Sequence, residues 1–234
     1  MSRLPHPIAL PIDSLLPEVL RVVHSAREKS RTLLIASPGS GKTTRVPWAL
    51  AKAEEKKASG LKIYVLEPRR IAAKLSAERV ATENGAKLGE GVGYQFRFEK
   101  KRTDKTPPVF LPGGNLLRKL QANPELRGVS TLVLDEFHER HLQADLALGI
   151  AKRLQETTRP DLRIVVMSAT LDPVPLEKFL PGCSKLELEA ARFPIGIEYA
   201  PLEHKLEIEV RRKIVDLVSR PDAEEFGDLL VFLP

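Results

Sequence analysis

An α/β fold, a mostly parallel sheet with helices on both faces, is what this 234-residue sequence predicts. Two observations lead there. Short continuous apolar runs recur, each closing on a polar tip and each followed by a helix-spaced segment, which is how strands buried on both faces by crossover helices read. The tips also share a chemistry. Residues 39–43, 67–70, 135–138 and 168–170 all fall where a strand would end, the edge at which open parallel sheets gather ligands.

The elements follow in order. After a proline-rich lead at 5–11, a helix is expected from Ser14, capped by Asp13 or Ser14, with Pro17 tolerated in its first turn. Leu16, Val19, Leu20 and Val23 would form its packed face. Thr32-Leu33-Leu34-Ile35 is the first buried strand, and it runs into Ala36-Ser37-Pro38-Gly39-Ser40-Gly41-Lys42-Thr43-Thr44, then a helix. Gly39 and Gly41 let the backbone curl so that successive N–H groups point inward. The helix behind them adds its positive dipole end, and together these make a phosphate-binding loop. Lys42 would reach the β and γ phosphates, and the Thr43 hydroxyl would complete the shell of a Mg²⁺ ion. Ala36 stands where the usual pattern has its first glycine.

Residues 54–62 read as an exposed charged turn. Ile63 to Leu66 is a second buried strand, and 70–83 a helix with Ile71, Leu75 and Val80 inward. Val92 to Phe98 is a more polar strand. Residues 97–105 carry five Lys or Arg against two acids, as a solvated loop or a phosphate-contacting one would. Val109 to Leu111 is a short strand, followed by a helix at 115–122. The strand 131–134 leads straight into Asp135-Glu136, a helix spans 142–154, and the strand 163–167 closes on Ser168-Ala169-Thr170.

Asp135-Glu136 is the second chemical element. A carboxylate ending a buried strand suits holding Mg²⁺ through its waters, and the next one can orient and deprotonate an attacking water. Alone, the pair would serve equally as a helix cap; behind a phosphate loop it reads as catalytic. His138 reads as a hydrogen-bonding relay beside the nucleotide, because His141 by itself does not complete a metal set.

Composition bounds the class. Hydrophobic content of 42% and charged content of 29% are ordinary for a globular chain, and the net charge of +6 tilts toward a polyanionic partner. The single Cys183 excludes a disulfide framework and fits a reducing compartment. No stretch approaches the roughly 20 apolar residues of a membrane span, and no signal-peptide pattern opens the chain. A soluble cytoplasmic protein with no membrane partner is expected.

Five ordered segments carry a family resemblance: Gly39 to Thr44, Glu67-Pro68-Arg69-Arg70-Ile71-Ala72-Ala73, Val92 to Glu99, Asp135-Glu136-Phe137-His138-Glu139-Arg140 and Met167 to Asp172. In this order they resemble the DEAH/RHA-type superfamily 2 helicases, and Leu10-Pro11-Ile12-Asp13 and residues 142–148 are most similar to a bacterial branch. The resemblance implies a first RecA-like P-loop NTPase domain at 31–200 behind an N-terminal lead and helix at 1–30. Residues 201–234 would be a linker helix and the first strand of a second RecA-like domain missing from this chain. It implies ATP and Mg²⁺ as cofactors, with Lys42, Thr43, Asp135, Glu136 and His138 as the nucleotide and metal set and Pro38 to Thr44 as the cradle. Ser168 and Thr170 would couple nucleotide state to domain movement. Arg79 matches an arginine that stacks on the base, where a solvated helix arginine is the plain alternative. Arg69, Arg70, Arg97 and Arg118 would lie along the nucleic-acid backbone, RNA or alternatively DNA, with surface salt bridges as the competing account.

Two features depart from the family pattern. Pro112-Gly113-Gly114 stands where a threonine and an acid are usual, removing a hydroxyl and an N–H from the expected phosphate contact. The chain also closes on Gly227 to Pro234, expected to be the second domain's first strand and to lack partners. Weak hydrolysis and no unwinding by these residues alone follow from that reading. Three functions remain open on the sequence: the motor domain of an ATP-dependent RNA helicase, a nucleotide-driven ribonucleoprotein remodeller, and a nucleotide-binding domain with no nucleic-acid role.

Overall fold

The computed structural model describes residues 9–25, 29–170, 172–189, 196–197, 199, 205–219 and 229–232, which divide into compact units at 1–191 and 192–234. In the first unit, β1 (Arg31–Ala36), β2 (Lys62–Glu67), β3 (Gly93–Phe96), β4 (Glu99–Lys101), β5 (Pro108–Pro112), β6 (Val129–Leu134), β7 (Arg163–Ser168) and β8 (Ser184–Leu188) form one sheet. Their order is β4-β3-β5-β2-β6-β7-β1-β8. Every neighbouring pair is parallel except the β3–β4 hairpin.

Strand alternation sorts the apolar residues into two cores. Tyr64, Leu66, Leu132, Leu134, Ile164 and Val166 face one side, packed by α4 (Gly113–Ala122) and α5 (Leu142–Glu156). Ile63, Val65, Val133, Val165 and Met167 face the other, packed by α1 (Leu16–Ser25), α2 (Lys42–Lys56) and α3 (Arg70–Glu83). The short α6 (Val174–Phe179) precedes β8. The expected mostly parallel, doubly covered sheet is what forms.

Several local expectations are corrected. In α3, Ile71 is 73% and Leu75 57% exposed, while Ala73, Ala77, Val80 and Ala81 make the contact with the sheet. Two residues of offset is about 200° around a helix, so choosing the small side chains as the packed face turns Ile71 and Leu75 to solvent. Their size misled the sequence reading; the alanines let the helix sit closer. Residues 54–62 are not an exposed turn throughout. α2 continues to Lys56, and Glu54 is buried, its carboxylate meeting Arg163 at 2.6 Å, Ser59 at 2.7 Å and His24 at 3.3 Å. Arg97 and Phe98 form the two-residue turn between β3 and β4 rather than continuing a strand.

At the N-terminus, residues 11–14 make a 3₁₀ turn and α1 starts at Leu16. Asp13 does not cap α1; its carboxylate accepts the Leu10 N–H at 2.8 Å. β8 went unread although Lys185-Leu186-Glu187-Leu188 alternates at strand period. In the second unit, α7 (Leu206–Val218) forms as expected, with Val210, Ile214 and Leu217 less exposed than Leu206 and Val218. Residues 192–199 fall mostly outside the described residues. Of the strand expected at 227–234, residues 229–232 are described and carry no strand.

Candidate nucleotide site

β1 delivers the chain to the phosphate loop, and the loop's geometry is set by two glycines. Gly39 has φ +76° with open space where a side chain would stand, and Gly41 has φ +91°. A β-carbon on Gly41 would lie 2.5 Å from Leu10 Cδ1 and 3.2 Å from Ile12 Cγ2, and the Ile12 N–H donates to the Ser40 carbonyl at 3.0 Å. The 3₁₀ turn at 11–14 therefore backs the loop, a role the sequence reading did not assign. The signal available was an apolar pair, Leu10 and Ile12, held around Pro11 outside the expected helix. Pro38 and Gly39 are exposed, Ser40 is buried with its hydroxyl unpartnered, and the Thr44 hydroxyl donates to the Gly41 carbonyl at 3.3 Å.

Lys42 opens α2 and is only 4% exposed. Its ammonium meets Glu136 Oε1 at 2.9 Å, and Glu136 Oε2 lies 3.4 Å from His138 Nδ1. Glu136 has φ +49°, a left-handed conformation that is strained for a residue with a side chain. It turns the carboxylate back over the end of β6 toward α2, and its own N–H donates to Asp135 Oδ1 at 2.8 Å. Burial pushes the Asp135 carboxyl up to about 6, a rise that the Thr43 hydroxyl opposes, Glu136 adds to, and Lys42 opposes. Glu67, ending the neighbouring β2, is pushed well above the usual carboxylate range by burial and then by Asp135. Lys42, Thr43, Asp135, Glu136 and His138 thus converge at one edge of the sheet.

Glu67 Oε1 and Asp135 Oδ2 are both buried with no hydrogen-bond partner. Orphaned carboxylate oxygens at the ends of the neighbouring strands β2 and β6, beside the glycine loop, fit a hydrated divalent cation. Among the described residues no group of three or more His, Cys, Asp or Glu could hold a metal by itself. Such an ion would therefore draw most of its ligands from phosphate and water.

Ser168 ends β7 with its hydroxyl donating to the Thr170 carbonyl at 3.3 Å, and the Ala169 N–H approaches His138 Nδ1 at 3.5 Å. That contact sets 168–170 beside the carboxylate cluster. Arg79 is exposed, its Nε 2.5 Å from Glu83 Oε1, and the chain of charges continues from Glu83 to Arg45 at 3.7 Å and from Arg45 to Asp13 at 3.3 Å. The four remaining arginines are exposed, and no hydrogen bond or ion pair joins them to one another. Arg69 meets Glu139 at 3.3 Å and Arg70 opens α3; Arg97 stacks on Phe98 at 5.0 Å and Arg118 lies on α4. Gly113 has a specific reason for lacking a side chain: a β-carbon there would lie 2.5 Å from Cβ of Gln143, on α5. Pro112-Gly113 thus trades the expected hydroxyl for close approach of two helix starts.

Comparison with known proteins agrees with this architecture. A family model described as DEAD/DEAH box helicase matches residues 18–179. The chain is 43% identical to the probable ATP-dependent RNA helicase DHR2 of Saccharomyces cerevisiae over 87% of its length and 27% of the relative's. It is 39% identical to the ATP-dependent RNA helicase HrpB of Escherichia coli over 97% of its length and 27% of the relative's. The crystal structure of Escherichia coli DEAH/RHA helicase HrpB superposes with a TM-score of 0.79 at 36% identity, covering 90% of this chain and 26% of that one. The chain thus spans about a quarter of these relatives.

Proposed function

This chain belongs to the DEAD/DEAH box helicase family, and we propose that it is the ATP-binding motor domain of an RNA helicase, acting in the cytoplasm together with a second RecA-like domain. The observation that carries this reading is the 2.9 Å contact between Lys42 and Glu136 beside the orphaned Asp135 oxygen. A buried ammonium needs a counter-charge, and Glu136 supplies it. An arriving triphosphate would compete for Lys42, and the same step would free Glu136 to take a proton from water.

The remaining residues divide the work of phosphoryl transfer, which is mostly positioning and charge neutralisation. Within the 38–44 cradle, backbone N–H groups of Gly39 and residues 41–43 would hold the phosphates without sequence-specific side chains, since Pro38 has none and those of Ser40 and Thr44 already donate to the Ser37 and Gly41 carbonyls. Thr43 and Asp135 would hold Mg²⁺, and the ion, when bound, would offset the charge of the phosphates. Glu136 would align the attacking water, and His138 would steady Glu136 and report its state to residues 168–170. Arg79 would stack on the base, and its pairing with Glu83 keeps the guanidinium plane anchored. Arg69, Arg70, Arg97 and Arg118 would contact the RNA backbone. The single Cys183 suits a reducing compartment.

Calorimetric titration of the 234-residue chain with Mg²⁺ and a non-hydrolysable ATP analogue tests the site. Tight, magnesium-dependent binding is expected, with Lys42→Ala weakening it by about 10- to 100-fold, the worth of a charge-assisted contact. Glu136→Gln in the longer protein should keep nucleotide affinity and abolish RNA-stimulated turnover. Magnesium-independent binding that ignores Lys42 would overturn the reading.

A further inference from the structure

Away from the nucleotide edge, the α4 side of the sheet carries a second set of cations. Alternation places Lys62 on the same face of β2 as Tyr64. Tyr64 pairs with Val109 and Val109 with Gly93, so Gln95 of β3 shares that face. Gln95 pairs with Lys100 of β4, which brings Lys100 onto it too. Arg102 follows two residues later and donates Nε–H to Gln95 Oε1 at 2.7 Å. From α4, Lys119 lies over Tyr64, its Nζ 5.2 Å from the ring centre. Among the described residues none of Lys62, Lys100 and Lys119 has a carboxylate partner. The acid beside them, Asp104, is 92% exposed and only 3.5 Å from Arg102.

This crowding has an electrostatic cost. Burial, and then Arg102, Lys62 and Lys100, hold the Lys119 ammonium down at about 8. Three lysines gathered without a carboxylate partner, around an arginine whose acid Asp104 faces solvent, make a place for an anion. The shape of the set selects the anion. The cations do not converge on a point; they run across β2, β5, β3 and β4, three strand spacings of about 4.8 Å, or roughly 14 Å in all. One free phosphate cannot span that length. The row starts below the β3–β4 turn, where Arg97 stacks on an exposed Phe98. Tyr64 is buried, so this set of side chains offers charge and no open ring for reading bases, as backbone contacts do.

We propose that Lys62, Lys100, Arg102 and Lys119 form a second binding track for the phosphodiester backbone of a single nucleic-acid strand, leading from the Arg97–Phe98 turn down the edge of the sheet away from the nucleotide. It rests on the nucleic-acid reading above and extends it from Arg97 and Arg118 to four cations that reading does not use. The strand's phosphates supply the missing counter-charge, and Lys119 is fully protonated once they are bound.

The test uses the 234-residue chain and a fluorescein-labelled uridine 12-mer, with anisotropy followed across a salt series. The Lys100→Gln/Lys119→Gln double variant removes two exposed or half-exposed charges and should leave the far-ultraviolet circular dichroism unchanged. Its slope of log affinity against log salt should fall by about 1.4, since each phosphate neutralised on a single strand contributes about 0.7. Calorimetry at pH 8 in two buffers of different ionisation enthalpy should show uptake of up to about half a proton by the unsubstituted chain. Lys119→Arg should keep the affinity and lose the uptake. A salt slope and proton uptake unchanged in the double variant, while Arg69→Gln and Arg97→Gln weaken binding, would overturn this track alone. Absence of any salt-dependent binding by the unsubstituted chain would overturn the nucleic-acid reading together with it.

Discussion

Glu54→Gln removes one charge at the end of the sheet opposite the nucleotide. Its carboxylate is 3% exposed and joins Arg163 on β7, His24 on α1 and Ser59 beyond α2, so three elements share one anion. These contacts hold the carboxyl at about 2, down from 4.5, with the His24 hydrogen bond the largest contribution. A depressed pKa contributes stability that is complete above the unfolded value and is lost as pH falls through the folded one. The 2.5-unit difference corresponds to at most about 3.4 kcal/mol at 1.36 kcal/mol per unit. Water access to His24 and Arg163 screens part of that, leaving about 2 kcal/mol at pH 7. Urea unfolding of both forms at pH 7, 5 and 3.5 would measure it. The gap should hold from pH 7 to pH 5 and narrow at pH 3.5, where the unfolded carboxylate is protonated and the folded one still ionised. A gap under about 0.5 kcal/mol at pH 7, the scatter of ordinary surface substitutions, would refute the reasoning. So would a gap that widens in acid.

Gly113→Ala should destabilise the chain by about 1–3 kcal/mol in the same assay, because the new methyl meets Gln143 Cβ at 2.5 Å; adding Gln143→Gly, which removes that Cβ, should restore part of the loss, whereas Gln143→Ala, which keeps it, should not. Gly41→Ala combines a positive φ with a collision against Leu10. It should weaken Mg²⁺-nucleotide binding by at least about 10-fold, read by calorimetry, while Gly114→Ala, where nothing lies within 4 Å, should leave that affinity unchanged.

How much of this was legible before the structure depends on what kind of signal each feature leaves. The strands at the core of the sheet, though not their order, followed from apolar runs such as the one inside Val129–Leu134, buried at every position, because a strand covered on both faces has no polar alternation to confuse it. The site followed from residue chemistry at strand ends. Failures arose where packing was decided by small residues or by a distant partner. The alanines of α3 outcompeted Ile71 and Leu75 for the sheet, and size-weighted periodicity cannot see that. Glu54 looks like one more charge in an acidic and basic stretch, and its burial is set by Arg163, 109 residues away in sequence. The buttress of Leu10 and Ile12 under Gly41 is likewise a contact between segments, with no local pattern to announce it.

Glu54 and the pair Glu67 and Asp135 set the two ends of the sheet against each other. All three carboxylates are nearly inaccessible, yet the first is held far below its ordinary value and the other two are pushed above theirs. Burial alone raises every one of them; what differs is the partners supplied by the chain. At Glu54 the fold provides an arginine, a histidine and a hydroxyl, so the charge serves stability and needs nothing from solution. At Asp135 and Glu67 one oxygen each is left without a partner, and the nearest ammonium, on Lys42, is already committed to Glu136. An end of the sheet that leaves buried carboxylate oxygens unmatched gives up stability that a cation bound there would return, and an end that matches them does not. That asymmetry supports the proposed ligand site at the carboxyl ends of the strands on grounds other than the sequence motifs found there.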